Sequence, residues 1–234
     1  MSDFRREMQD ELEVRGLEFK TGKAYIRSME MFVEFFGGPA VEADVKDIKA
    51  YQRYLLKERK LSVNTINRYL SGIRFYFRHV HGRHWYSDTL PRLKEVRRAP
   101  VVLSQKEVAA MIHSVKKTFY KAVITLMYSS GLRSEELRSL KVTDIDSKRM
   151  VIQVRNGKGG RDRQALLSPY ALNILRQYWR ECRLGKPIES EWLFIPSKTN
   201  KGPSAKPLSP TAVSYMLKIA AKAAGIKKKY IPTY

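Results

Sequence analysis

Cysteine is almost absent from this chain. Cys182 stands alone, so no internal disulfide can form and no cysteine-based zinc cluster can assemble. A reducing, cytoplasmic home is the resulting expectation. Histidine is scarce too, with 4 residues, all of which precede residue 114. Long apolar runs are missing: the longest, around Ala122 to Tyr128, is too short to span a bilayer. Neither a basic amphipathic anchor nor a signal peptide opens the chain, so no membrane partner is expected. Acidic residues are few, 23 against 45 Lys and Arg, which gives a formal charge of +22 over 234 residues. Such an excess needs an anionic partner. Nucleic acid leads, because each phosphate neutralised by Lys or Arg releases condensed counterions.

What is present is enough to fold. Apolar residues make up 43% of the chain and aromatics 11%, which supplies the burial that offsets the ordering entropy. Surface-to-volume scaling favours units of roughly 100 to 150 residues, so two domains are expected. Thr21 reads as the cap of a helix carrying Tyr25, Met29, Phe32, Val33 and Phe36 at helical spacing, stopped by Gly37, Gly38 and Pro39. A second helix starts near Asp44, with Val45, Ile48, Tyr51 and Leu55 on one stripe. Ser62 caps a third, whose buried stripe is Val63, Ile66, Leu70, Ile73 and Phe77.

The opposite face of that third helix presents Asn64, Arg68, Ser71 and Arg78. Short polar side chains mixed with positive charge suit a helix lying against DNA, and they suit an ordinary solvated face equally well. From His81 to about Pro100 the periodicity breaks and Arg83, Arg92, Lys94, Arg97 and Arg98 accumulate. The stretch 83–102 reads as a basic interdomain linker, between a helical domain 1–82 and a second domain 103–234; it can track a phosphate backbone or serve as a soluble tether. The cluster His79, His81 and His84 matches no common metal-ligand spacing, and a role at the helix end is the better reading. No metal and no cofactor are expected.

The second domain opens with a capping box, Ser104 to Glu107. A nearly all-apolar helix, Phe119 to Tyr128, should form its centre, with Gly131 as a left-handed stop. A helix holding Leu137 and Leu140 follows. Met150 to Arg155 and Arg163 to Leu167, joined by turn chemistry from Asn156 to Gly160, read as a β-hairpin. Helices are expected around 171–182 and 211–224, the latter capped by Ser209, begun by Pro210 and stopped by Gly225, with an exposed basic loop 197–206 between them. A nucleotide-binding reading of Gly157 to Gly160 fails, because Lys158 is followed by Gly159 where a phosphate loop needs Ser or Thr.

Two strings carry a family resemblance. Gly131, Leu132, Arg133, Ser134, Glu135, Glu136 and Leu137 resemble the first arginine motif of the tyrosine recombinase (phage integrase) family; Gly157 to Arg163 resembles its hairpin lysine motif, with Leu166 to Ser168 like the segment after it. Thr21 to Phe32 and Leu61 to Phe77 look like the family's N-terminal DNA-clamping domain, and Leu103 to Val108 like the opening of its catalytic domain. The implied fold is mainly α with a small antiparallel β-sheet: an N-terminal helical, SAM-like core-binding domain, then an incomplete α+β catalytic domain.

The resemblance also implies a chemistry. In the family a tyrosine attacks a DNA phosphate, forms a phosphotyrosyl link and expels a 5′-hydroxyl without metal or nucleotide cofactor. Charge growing on the phosphoryl oxygens must then be met by fixed donors, and the planar guanidinium of Arg133 fits that role. Lys158, flanked by glycines, fits a general acid for the departing oxygen. Glu136, three residues after Arg133, supports the site. The implied DNA contacts are Asn64, Arg68, Ser71, Arg78, Arg97, Arg98, Arg161 and Arg163.

The implied partner is double-stranded DNA, with assembly into a tetramer on paired sites and association with the nucleoid. The family continues into a His-x-x-Arg string and a later tyrosine, whereas this chain closes on Ile231, Pro232, Thr233 and Tyr234. The resulting expectation is a truncated recombinase that binds DNA without cleaving it alone. The alternatives are a non-catalytic regulator occupying recombination sites and, trailing, a basic RNA-binding module.

Overall fold

The structure is a computed structural model that describes residues 4–83, 92–95, 99, 101–155, 157, 160–184, 190–196 and 206–228. The chain divides into two compact units, Met1–Arg98 and Ala99–Tyr234. Among the described residues, no helix is long and apolar enough to cross a membrane.

The first unit is all helical. Helix α1 (Phe4–Val14) buries Phe4, Met8 and Leu12, one residue per turn on a single stripe. Sequence reading passed over it, although that i, i+4, i+8 spacing is plain once sought. Helix α2 (Phe19–Phe36) begins before the expected cap: Glu18 holds the cap position without a side-chain bond, so Thr21 lies inside the first turn. Gly37 ends α2 at φ 77, the left-handed stop expected there.

Asp44 caps α3 (Val45–Lys57) in a reciprocal box with Asp47. Ser62 caps α4 (Val63–Phe75) by accepting the Thr65 N–H at 3.3 Å. Of the anticipated α4 stripe, Ile66, Leu70, Ile73 and Phe77 are buried, while Val63 at the helix start is only half-buried. Helix α4 runs into a π-helical turn, Tyr76–Val80, and Phe75, Tyr76 and Phe77 are all buried. His81 closes the turn, its Nε2 2.7 Å from the Tyr76 hydroxyl. The His79 ring lies 5.2 Å from that of Phe75. His84 lies outside the described residues.

Gly72 decides how closely α2 and α4 approach. A Cβ at this position would stand 2.8 Å from both the Ser28 Cβ and the Tyr25 carbonyl oxygen. Gly72→Ala is therefore expected to destabilise the first unit by about 1–3 kcal/mol, the usual cost of overpacking. A shift of the urea midpoint at constant m-value checks this; an unchanged midpoint would mean the helices part freely.

In the second unit, Ser104 and Glu107 form the expected capping box at α5 (Gln105–Ser114). Helix α6 (Thr118–Ser130) is central, burying Ala122 through Leu126 consecutively. After it come the short α7 (Ser134–Arg138), a 3₁₀ turn Val142–Asp144, and strands β1 (Ile145–Asp146), β2 (Val151–Val154) and β3 (Arg163–Leu166). The sheet is antiparallel in the order β1-β2-β3, with Ile152 opposite Ala165 and Val154 opposite Arg163. The expected hairpin is β2–β3; β1, two residues long, left no periodicity to read.

Helix α8 (Pro169–Cys182) is capped by Ser168 and begins two residues earlier than expected, because Pro169 fits the first helical position. Helix α9 (Pro210–Ala223) is capped by Ser209, and Gly225 follows at φ 69. The core joins α5, α6, α8, α9 and the buried face of the sheet, with Tyr178 donating to the Leu193 carbonyl at 3.2 Å. The expected basic loop lies mostly outside the described residues.

Candidate active site

The corner between α6 and α7 sets the site. Gly131 turns the chain at φ 59, a conformation that costs a side-chain-bearing residue, and Leu132 anchors the corner at 4% exposure. Arg133 thus occupies the cap position of α7 in an extended conformation, and Glu136 falls at the third helical position beneath it. The carboxylate satisfies an otherwise unpaired N–H of the helix start: Oε2 accepts the Arg133 backbone N–H at 2.8 Å.

Two guanidinium groups converge on the same carboxylate. Arg133 Nη1 donates to Glu136 Oε1 at 2.8 Å, and Arg163 Nη2 donates to Oε2 at 2.8 Å. Arg163 Nη2 also reaches the Gly131 carbonyl at 3.2 Å, so strand β3 is tied to both ends of the corner. The Glu136 side chain is 4% exposed, against 41% for Arg133 and 36% for Arg163. The acid is therefore interior, and each arginine keeps part of its fork toward solvent.

Burial raises the Glu136 pKa, yet the bonds from Arg163 and from the Arg133 backbone and side chain outweigh it and hold the group below 4.5. A depressed carboxylate contributes stability above its unfolded pKa and loses it as pH falls through the folded value. Glu136→Gln is therefore expected to cost stability at pH 7 and progressively less below pH about 4.5. Denaturant midpoints of both proteins over a pH series check this; a difference that stays constant down to pH about 3 contradicts it.

Between β2 and β3, Gly157 and Gly160 are hydrogen-bonded into the connection. Gly157 donates to the Arg161 carbonyl at 3.0 Å, and Gly160 donates to the Gly157 carbonyl at 2.8 Å. A Cβ on Gly157 would stand 2.8 Å from the Arg161 carbonyl oxygen and 3.5 Å from Glu136 Oε1, so glycine is needed where the turn meets the carboxylate. Lys158 lies outside the described residues; Gly157 is its chain neighbour. At the base of the turn, Arg155 Nε donates to the buried Asp144 at 2.9 Å.

Among the sequence-derived candidates, Arg133, Glu136 and Arg163 come together. Arg163, grouped by resemblance with the DNA contacts, has Nη2 committed to Glu136 and Gly131. Arg161 is exposed on the turn. Asn64 and Arg68 are exposed on α4 and Arg78 on the π-helical turn after it, with the Arg68 guanidinium 5.8 Å from the Tyr69 ring centre. The Ser71 hydroxyl donates a hydrogen bond to the Asn67 backbone carbonyl at 2.8 Å. Arg97 and Arg98 lie outside the described residues. Sequence reading missed the Arg163–Glu136 pair, the Asp144–Arg155 pair and buried Asn67, for which the only signal was an amide next to an otherwise apolar stripe.

Comparison with known families decides the lineage. Residues 101–233 match the phage integrase family, and residues 4–87 match the SAM-like N-terminal domain of phage integrases. The chain belongs to the phage integrase family of tyrosine recombinases. A Sinorhizobium fredii protein that bears an integrase/recombinase name, y4qK, is 38% identical over 195 residues, covering 83% of this chain and 62% of that protein. The tyrosine recombinase XerA of Pyrococcus furiosus is 27% identical over 228 residues, covering 97% and 75%.

A crystal structure of a lambda integrase tetramer bound to a Holliday junction shares the fold, with TM-score 0.70 and 20% identity over 97% of this chain and 64% of that one. The integrase-family chain described here spans 62% of y4qK and 58% of y4eF, a second Sinorhizobium fredii relative.

Proposed function

We propose that this chain grips duplex DNA as part of a site-specific recombinase, presenting Arg133 and Lys158 to one backbone phosphate. The Glu136 cluster supports this most directly. A buried carboxylate that takes three N–H donors fixes the backbone and guanidinium of Arg133, and a Cβ on Gly157, the residue before Lys158, would come within 3.5 Å of that carboxylate. Arg133 can then offer its exposed edge to the phosphoryl oxygens, and Lys158 can deliver a proton to the departing 5′-oxygen. Glu136 stays ionised and positions, exchanging no proton with the substrate.

The formal charge of +22 supplies the long-range attraction. Asn64 and Arg68, exposed on α4, and Arg78, exposed on the π-helical turn after it, are the reading side of the first unit, with Arg161 a further contact from the turn. Copies assemble on paired sites in this reading, as lambda integrase does on its junction. Within its 234 residues the chain contains no His-x-x-Arg string. In this reading the chain binds DNA without cutting it alone; the alternative reading is a non-catalytic regulator that occupies recombination sites.

Retention of duplex DNA and of RNA over a salt series, with a parallel assay for denaturation-resistant protein–DNA adducts, tests the proposal. Expected are a preference for duplex DNA, an affinity falling linearly on a log–log salt plot, and no adduct. Preference for RNA contradicts the recombinase reading, and an adduct contradicts binding without cleavage.

A further inference from the structure

Asn67 is 2% exposed and makes two long-range hydrogen bonds to one residue. Its side-chain nitrogen donates to the Leu93 carbonyl at 3.0 Å, and its side-chain oxygen accepts the Leu93 N–H at 3.0 Å. An amide that pairs with both backbone groups of a distant residue holds that residue as a neighbouring strand would, fixing position and direction together. The Leu93 side chain packs on the core of the first unit. The segment 92–95, which reads in sequence as part of a tether, is thereby laid along α4.

The direction matters because of what flanks Leu93. Arg92 and Lys94 are exposed on either side of it, followed by exposed Glu95. On α4, Asn64, Asn67, Ser71 and Arg74 follow one another at three- and four-residue steps and so share a stripe. Arg74 is half-buried on that stripe. Burial first, and then the charge on Arg92, lower its pKa.

We propose that Asn67 is a positioning residue that fixes segment 92–95 on α4 so that the exposed Arg92 forms a binding site for a backbone phosphate of duplex DNA. This rests on the DNA-binding function proposed above and adds to it a site and the residue that builds it. Asn67 itself touches no DNA; it acts through the Leu93 backbone.

The slope of log affinity against log salt, measured for the full 234-residue chain on duplex DNA, reads the number of phosphates neutralised, about 0.9 per contact. Arg92→Gln removes a charge and is expected to lower the slope by about 0.9. Asn67→Ala removes none, yet is expected to lower the slope equally, and to add nothing in the Arg92→Gln background. Leu93→Pro, which deletes the N–H that Asn67 accepts, should reproduce the loss with the Asn67 side chain itself unchanged, and so replaces Asn67→Ala if that protein does not fold. Leu93→Ala keeps both backbone bonds and should retain the wild-type slope. General destabilisation lowers the melting temperature without changing the slope.

Unchanged slopes in Asn67→Ala and Leu93→Pro, with the wild-type protein still binding in a salt-dependent way, overturn this inference alone. An Arg92→Gln slope equal to wild type overturns the phosphate site. A wild-type chain that shows no salt-dependent duplex binding removes the functional proposal, and this inference with it.

Discussion

Glu136→Ala is expected to cost the second unit about 3 kcal/mol of stability, the lower end of the range for breaking an interior ion pair. The loss has two parts. The Arg133 backbone N–H at the start of α7 forfeits its acceptor, and two guanidinium groups that shared one carboxylate face each other uncompensated. The lower end applies because Arg133 and Arg163 are 41% and 36% exposed and can turn partly to water, which screens the repulsion. Glu136→Gln keeps an acceptor for the N–H and should lose about half as much. Equilibrium denaturation of the three proteins checks the order; an alanine variant within about 0.5 kcal/mol of wild type would show that the cluster holds nothing in place.

The second large effect is chemical. Joined to a C-terminal segment that supplies the family's His-x-x-Arg string and tyrosine, the chain should form covalent DNA adducts, and Arg133→Ala should slow their formation at least about 100-fold, the usual cost of removing a donor to developing charge. Site binding should stay within about threefold, since one phosphate contact among several is lost. A variant that forms adducts at the unmodified rate excludes Arg133 from the phosphate site. Stability distinguishes the two residues: Arg133→Ala removes an exposed partner and leaves Glu136 bonded to Arg163, so it should be much milder than Glu136→Ala.

Much of this site could be read from residue order, because its decisive features are local. The glycine corner, the Arg133–Glu136 spacing and the helix caps at Ser62, Ser104 and Ser209 each depend on residues within one turn of chain. The missed features are those in which a side chain finds a distant backbone or acid. Arg163 meets Glu136 only because the β2–β3 register brings the start of β3 to the corner after α6, and Asn67 meets Leu93 only because the chain doubles back along α4. Composition marks both residues as surface groups, arginine by charge and asparagine by polarity, whereas Asn67 is fully enclosed and Arg163 is committed inward. Helix α1 is different: its stripe of Phe4, Met8 and Leu12 is local and legible, and attention to the stronger helix after it hid the pattern.

The proposal that Arg133 and Lys158 converge on one phosphate is tested most directly by neutralising phosphates singly. On the duplex that this chain selects from a random pool, methylphosphonate is placed at each position in turn, and binding is measured for the wild type, Arg133→Ala and Lys158→Ala. The expected result is one position at which neutralisation weakens the wild type while leaving both variants indifferent. Sensitivity of the two variants to different phosphates, or to none, contradicts it.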